Sequence, residues 1–136
     1  MPGGQSVTQL PILIIDDDLD TRAAAADVLY DAGYWPMSAR NGLEALQMLR
    51  TGVAPVAMIV DLFMPLMDGE AFCEACDADP RFKTIPRIIM SVSTNGRLYL
   101  ERKRAHAFVG KPMQPARLIE AILSVAGPSK KAPVAH

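Results

Sequence analysis

The chain has no apolar run approaching the roughly 20 residues that span a bilayer. Its opening residues, Met1 to Ser6, lack both the basic and the apolar parts of a signal peptide. A cytoplasmic location without a membrane partner is expected. Cysteine is scarce: Cys73 and Cys76 form one C-x-x-C with no second pair and no nearby histidine, half the ligand set of a structural zinc site. A thioredoxin-like dithiol fits no better, because the pair falls inside a helix expected from Asp68 and not at a helix start after a strand. Small apolar core residues are the reading that remains. Neither sign of charge is in excess, with a net charge of −1, so nothing points to nucleic acid or to an anionic membrane. Aromatics make up only 6% of the chain. Trp35 and Tyr99 stand singly, as packing or edge residues and not as base-stacking platforms.

What is present is a chain of 136 residues, half of them apolar, enough for one domain with a substantial core. That length is too short for a sensor plus an effector. Four short apolar runs, Ile12 to Ile15, Val56 to Val60, Ile88 to Met90 and Ala107 to Val109, are too continuous for half-exposed strands. They fit strands buried on both faces of a parallel sheet. A weaker fifth candidate, Tyr34 to Ala39, contains Pro36, which cannot donate to a ladder and therefore belongs at a sheet edge.

Helix-period segments alternate with these runs. The first places Ala25, Val28, Leu29 and Ala32 on one face and stops near Gly33; the second carries Leu43, Leu46 and Leu49 and closes at Gly52. A third is expected from Asp68, a helix cap, through Phe72 and Cys76. The last repeats Leu118, Ile119, Ile122, Leu123 and Ala126 after Pro115. A further helix is expected over roughly Asn95 to Ala105. The order is β-α five times, which right-handed crossovers turn into a doubly wound α/β sheet. Residues 1–10 and 127–136 read as a flexible leader and tail around a domain at 11–126.

Polar residues then fall in one place. Asp16 and Asp17, Asp61, Ser91 and Lys111 each follow a different strand, at the carboxyl ends where open α/β sheets bind ligands. Three carboxylates in one cleft repel each other unless a hard cation relieves them. Magnesium takes one or two carboxylates, a carbonyl and waters, which leaves a position for a phosphoryl oxygen. Lys111 adds positive charge, and the Ser91 hydroxyl can donate to a phosphoryl oxygen. One carboxylate is left as a nucleophile able to form an acyl phosphate, and Asp61, before a loop containing Pro65 and Gly69, is the candidate.

These residues resemble the response-regulator receiver family of two-component signalling: I-I-D-D-D at 14 to 18, D-x-x-M-P-x-M-D-G at 61 to 69, Ser91, and K-P at 111 to 112. Separations of 44 residues from Asp17 to Asp61 and 30 from Asp61 to Ser91 match as well. Any single motif is weak; four in order on the right strand ends are specific. The resemblance covers about residues 11 to 126. It implies a flavodoxin-like fold of sheet order 2-1-3-4-5, with Asp61 phosphorylated by a phosphohistidine of a sensor histidine kinase or a histidine phosphotransfer protein. It also implies that Asp17 binds magnesium, or manganese in its place, directly, that Asp16 helps to position the ion, and that Asp61 and the backbone carbonyl of Phe63 complete the protein ligands. Lys111 and Ser91 are implied to hold the phosphoryl group, Ser91 and Phe108 to move together as a switch, and the Lys111–Pro112 peptide to be cis.

Some positions depart from that pattern. Phe63 and Val92 are bulky beside the acceptor, and with Ser93 they are expected to tune phosphoryl access, in the direction of slow hydrolysis. Only 20 residues separate Ser91 from Lys111, so the helix between them is expected to be short or displaced. The same stretch carries Arg97, Arg102, Lys103, Arg104 and His106, which is either a solvated face or a docking surface for an acidic output partner. Three functional classes follow. The leading one is a phosphorylatable switch, with at most self-catalysed phosphorylation and dephosphorylation. A second is a degenerate receiver that binds without being phosphorylated. The third, a magnesium phosphohydrolase with an aspartyl nucleophile, fits poorly because Leu19-Asp20 follows the acidic run where such enzymes carry a hydroxyl or valine.

Overall fold

The computed structural model describes residues 9–92 and 105–128. The helix expected over Asn95 to Ala105, the basic residues Arg97 to Arg104, Ser93, and most of the leader and tail fall outside them. Five strands, β1 (Pro11–Ile15), β2 (Trp35–Ala39), β3 (Ala57–Val60), β4 (Arg87–Ser91) and β5 (Ala107–Gly110), form one parallel sheet in the order β2-β1-β3-β4-β5. Pro36 does lie on an edge strand, where its missing N–H breaks no inner ladder.

The continuous apolar runs are explained by the two faces of this sheet. Leu13, Ile15, Met58, Val60 and Ile89 point to one side, where α2 (Gly42–Arg50) and α3 (Gly69–Asp77) supply Ala45, Leu46, Leu49, Phe72, Cys73 and Cys76. Ile12, Ile14, Ala57, Ile59, Ile88 and Met90 point to the other side, against Ala25 and Leu29 of α1 (Leu19–Asp31) and Leu118, Ala121 and Ile122 of α4 (Pro115–Ala126). The period-two alternation is therefore present, but both phases are apolar. Neither cysteine is in a disulfide, both are fully buried, and burial pushes the Cys76 thiol up to about 11, which favours its neutral form.

Helix ends follow their sequence signals. Asp18, Asn41 and Asp68 each accept a backbone N–H three residues on, from Thr21, Glu44 and Ala71. Gly33 and Gly52 have the positive φ of helix stops, 96° and 111°. Two expected core positions differ: Leu43 and Leu123 are about half exposed, and Ala45 and Ala121 pack into the core instead. A helix covering a flat sheet presents a stripe narrower than its apolar residues, so the outermost leucine of each remains in solvent. No helix among the described residues is long and apolar enough to cross a membrane.

Candidate functional site

The acidic run after β1 divides into three environments. Asp16 continues the β1 ladder, its N–H donating to the Ala39 carbonyl at 3.2 Å, so its side chain turns into the protein and is fully buried. There Oδ1 accepts the Asp18 N–H at 2.9 Å and Oδ2 accepts the Lys111 ammonium at 2.8 Å. The Asp16 carbonyl takes the Arg22 guanidinium at 2.7 Å. Asp17, the next residue, is exposed. Asp18 caps α1, and the hydroxyl and N–H of Thr21 hold its carboxyl below the usual carboxylate range.

Asp61 is set by β3 in the same manner, its N–H donating to the Ile15 carbonyl at 2.9 Å. Its carboxylate is 5% exposed as a residue, accepts the Phe63 N–H at 3.4 Å, and lies 3.5 Å from Lys111 Nζ. The following loop is tightly determined. Leu66 has φ of 70°, and the Met67 N–H closes a three-residue turn onto the Pro65 carbonyl at 2.8 Å. The loop then returns on itself: the Gly69 N–H reaches the Leu62 carbonyl at 2.9 Å, so close that a Cβ on Gly69 would lie 2.5 Å from the Asp61 carbonyl oxygen. Met67 packs on Gly42 at the start of α2, where a Cβ would lie 2.8 Å from Met67 Cγ.

Ser91 ends β4 as a buried residue, and its carbonyl accepts the Lys111 N–H at 3.0 Å. Val92 beyond it is exposed. Phe108 on β5 is half-buried against the α2 and α3 side of the core. The Lys111–Pro112 peptide is cis.

Charge in this cleft is unbalanced. The carboxylate oxygens of Asp16, Asp17 and Asp61 lie within 4.8 Å of one another, and Lys111 is the cation that ion-pairs with two of them. Burial pushes the Asp61 carboxyl up, and the Asp16 charge adds to this; Lys111 and the Phe63 N–H pull it only partly back. Burial disfavours the Lys111 charge, but its hydrogen bond to Asp16 and the two carboxylates outweigh that and hold it above its ordinary value. Among the described residues, one ammonium against three carboxylates suits a hard divalent cation with oxygen ligands. The position, after β1 and β3 where strand order reverses, is also where such sheets take ligands.

The expected site residues that are described thus stand at one end of the sheet, apart from Phe108, which lies earlier on β5 opposite Ile89. Arg22, Leu66 and the Gly42–Met67 seat were not anticipated from the sequence. Arg87, 2% exposed at the opposite end, was also missed; it donates to the Cys73 carbonyl and pairs with Asp77. His106 is exposed, as expected, but its Nδ1 accepts the Arg87 N–H at 3.1 Å.

Comparison with known proteins agrees with this geometry. Residues 12–123 match the response regulator receiver domain family. The chain is 32% identical over 116 residues to the chemotaxis protein CheY of Listeria monocytogenes, covering 83% of this chain and 95% of that protein. It is 31% identical over 120 residues to an uncharacterized 14.6 kDa protein of Leptolyngbya boryana, covering 87% and 91%. Among solved structures, CheY4 of Vibrio cholerae superposes with a TM-score of 0.79 at 28% identity, covering 87% of this chain and 99% of that one.

Proposed function

The chain belongs to the response regulator receiver domain family, and on that premise we propose that it is a phosphorylatable signalling switch with Asp61 as the acceptor. The observation that carries this reading is the buried Asp61 carboxylate beside both Lys111 and a second acidic side chain, on a loop that Gly69 allows to close. An Asp61 oxygen forms a bond to phosphorus as the bond from phosphorus to a donor imidazole nitrogen breaks; the electron pair stays on that nitrogen, which takes up a proton.

Asp17, Asp61 and the Phe63 carbonyl are the residues proposed to ligate magnesium, with manganese as a substitute and Asp16 orienting from behind. When bound, the ion supplies charge neutralisation and a coordination position for a phosphoryl oxygen. Lys111 is the group that exchanges Asp16 and Asp61 for the incoming phosphoryl oxygens. Ser91 donates its hydroxyl to them, and Phe108, already half-buried beside β4, follows it inward. The donor is a sensor histidine kinase or a histidine phosphotransfer protein, which places the chain in the cytoplasm. An output partner on the segment Arg97 to His106 belongs to the same reading, as does slow hydrolysis from Phe63 and Val92 at the mouth of the site.

The test is mass measurement after incubation with magnesium and a small phosphodonor. One phosphate on the unaltered chain and none on Asp61→Asn is the expected result. No phosphate on either, even with the cognate kinase, would instead favour a receiver that binds partners without being phosphorylated. Continuous phosphate release from small phosphoesters would point to a hydrolase.

A further inference from the structure

The acidic run between β1 and α1 ties up two of its own side chains. Asp16 accepts the Asp18 N–H and the Lys111 ammonium, and Asp18 caps α1 on Thr21. Asp17 between them is exposed and makes no hydrogen bond or ion pair among the described residues. One of its carboxylate oxygens nevertheless lies within 4.8 Å of oxygens of Asp16 and Asp61. Its direction is set through the backbone.

Both peptide groups that flank Asp17 are held. On one side the Asp18 N–H donates to Asp16 Oδ1 at 2.9 Å; on the other the Asp16 carbonyl accepts Arg22 Nη1 at 2.7 Å. A peptide unit is planar, so restraining the N–H of one and the carbonyl of the other orients both planes and the Asp17 Cα–Cβ bond between them. Arg22, half-buried at the end of the first turn of α1, has Asp17, Asp18 and Asp20 close by in the chain. Among the described residues it forms an ion pair with none of them, and its hydrogen bond goes to the Asp16 carbonyl. A positive charge that neutralises no carboxylate repels a cation entering the cleft.

We propose that Arg22 is a positioning residue for the cation: it holds the Asp16–Asp17 peptide so that the Asp17 carboxylate stays beside that of Asp61 as a magnesium ligand. This rests on the magnesium-dependent switch reading above and deepens it, in assigning ligand orientation to a residue that touches neither the ion nor the phosphoryl group. Magnesium demands near-ideal octahedral geometry, whereas calcium accepts a flexible set of oxygens. Loss of ligand orientation therefore penalises magnesium more than calcium. Loss of a nearby positive charge favours both alike.

The test titrates magnesium and calcium separately into the full chain and into Arg22→Met, following backbone amide shifts by NMR well below the melting temperature of either protein. Methionine keeps an apolar stem and forms helix well but cannot donate. The expected result is that Arg22→Met binds magnesium about tenfold more weakly than the unaltered chain and calcium no more weakly. Arg22→Gln, whose amide is carried on a shorter side chain, shows the same selective loss and stands in if the methionine variant fails to fold. Equal or tighter magnesium binding in the variant overturns the inference, as does an equal weakening of both ions, which would make Arg22 a support of the cleft as a whole. The switch reading is tested apart from this. If the unaltered chain binds magnesium yet takes no phosphate from acetyl phosphate, that reading fails while the role of Arg22 toward the cation stands; if it binds no magnesium, both fail.

Discussion

The two ends of the sheet bury charge in opposite ways. At the amino end, the Arg87 guanidinium meets the Cys73 carbonyl and the Asp77 carboxylate, a pairing closed within the fold. At the carboxyl end, Asp16, Asp17 and Asp61 surround Lys111, and the cleft keeps a surplus of negative charge. In the first arrangement the two charges match, although Arg87 Nε is buried without a hydrogen-bond partner; in the second a cation is expected to relieve the surplus. Buried charge alone therefore does not mark a functional site. An imbalance that the fold leaves uncorrected does.

Removing a carboxylate at each end should change stability with opposite signs. The largest effect is expected for Asp77→Ala, which strands a buried guanidinium: a loss of about 3 kcal/mol in urea unfolding, toward the lower end for a broken buried pair because Asp77 reaches solvent. Magnesium is expected to act at the other end alone. At a hundred times its dissociation constant it should stabilise the unaltered protein by about 2.7 kcal/mol and Asp77→Ala by the same increment, with most of the gain lost in Asp17→Asn.

Asp61→Asn, without divalent ions, should stabilise the fold at neutral pH. The sign follows from the raised pKa of Asp61: the folded chain holds this proton more tightly than the unfolded chain, so ionisation weakens folding. The penalty is absent below the ordinary value of 3.8 and grows as pH rises through the higher folded value. Thermal melts of the two proteins should therefore converge on acidification, and a gap that widened would refute the assignment. The smallest effect is expected for Asp68→Ala, which removes the cap on Ala71 N–H and should cost about 0.5–1 kcal/mol, with magnesium affinity preserved.

The carboxyl end was legible because its chemistry is written in residue types at strand exits: acidic pairs, Ser91 and Lys111 each follow an apolar run. The amino end was not, because Arg87 begins a strand with nothing local to show that Asp77 and the Cys73 carbonyl wait across the core. Leu43 and Leu123 show the same limit for packing. Helical spacing gives an apolar stripe, but which edge of it faces solvent depends on where the sheet lies beneath. Leu66 is a third kind of omission, since the positive φ of a leucine is invisible in composition and arises from closure of the loop between Pro65 and Gly69.

By itself the sequence determined the α/β alternation, the edge position of β2, the helix caps and the group of polar residues that share one end of the sheet. These depend on local periodicity, on turn chemistry and on the rule that parallel strands all expose the same end. Tertiary structure alone decided how the acidic run is divided, with Asp16 buried on Lys111, Asp17 in solvent and Asp18 on a helix amide. It also decided that Arg87 meets Asp77 and the Cys73 carbonyl while its Nε is buried without a hydrogen-bond partner, and that Leu66 takes a positive φ. The physical reason is that burial, hydrogen-bond partnership and backbone strain are set by residues distant in the chain, and none of the three can be read from neighbours alone.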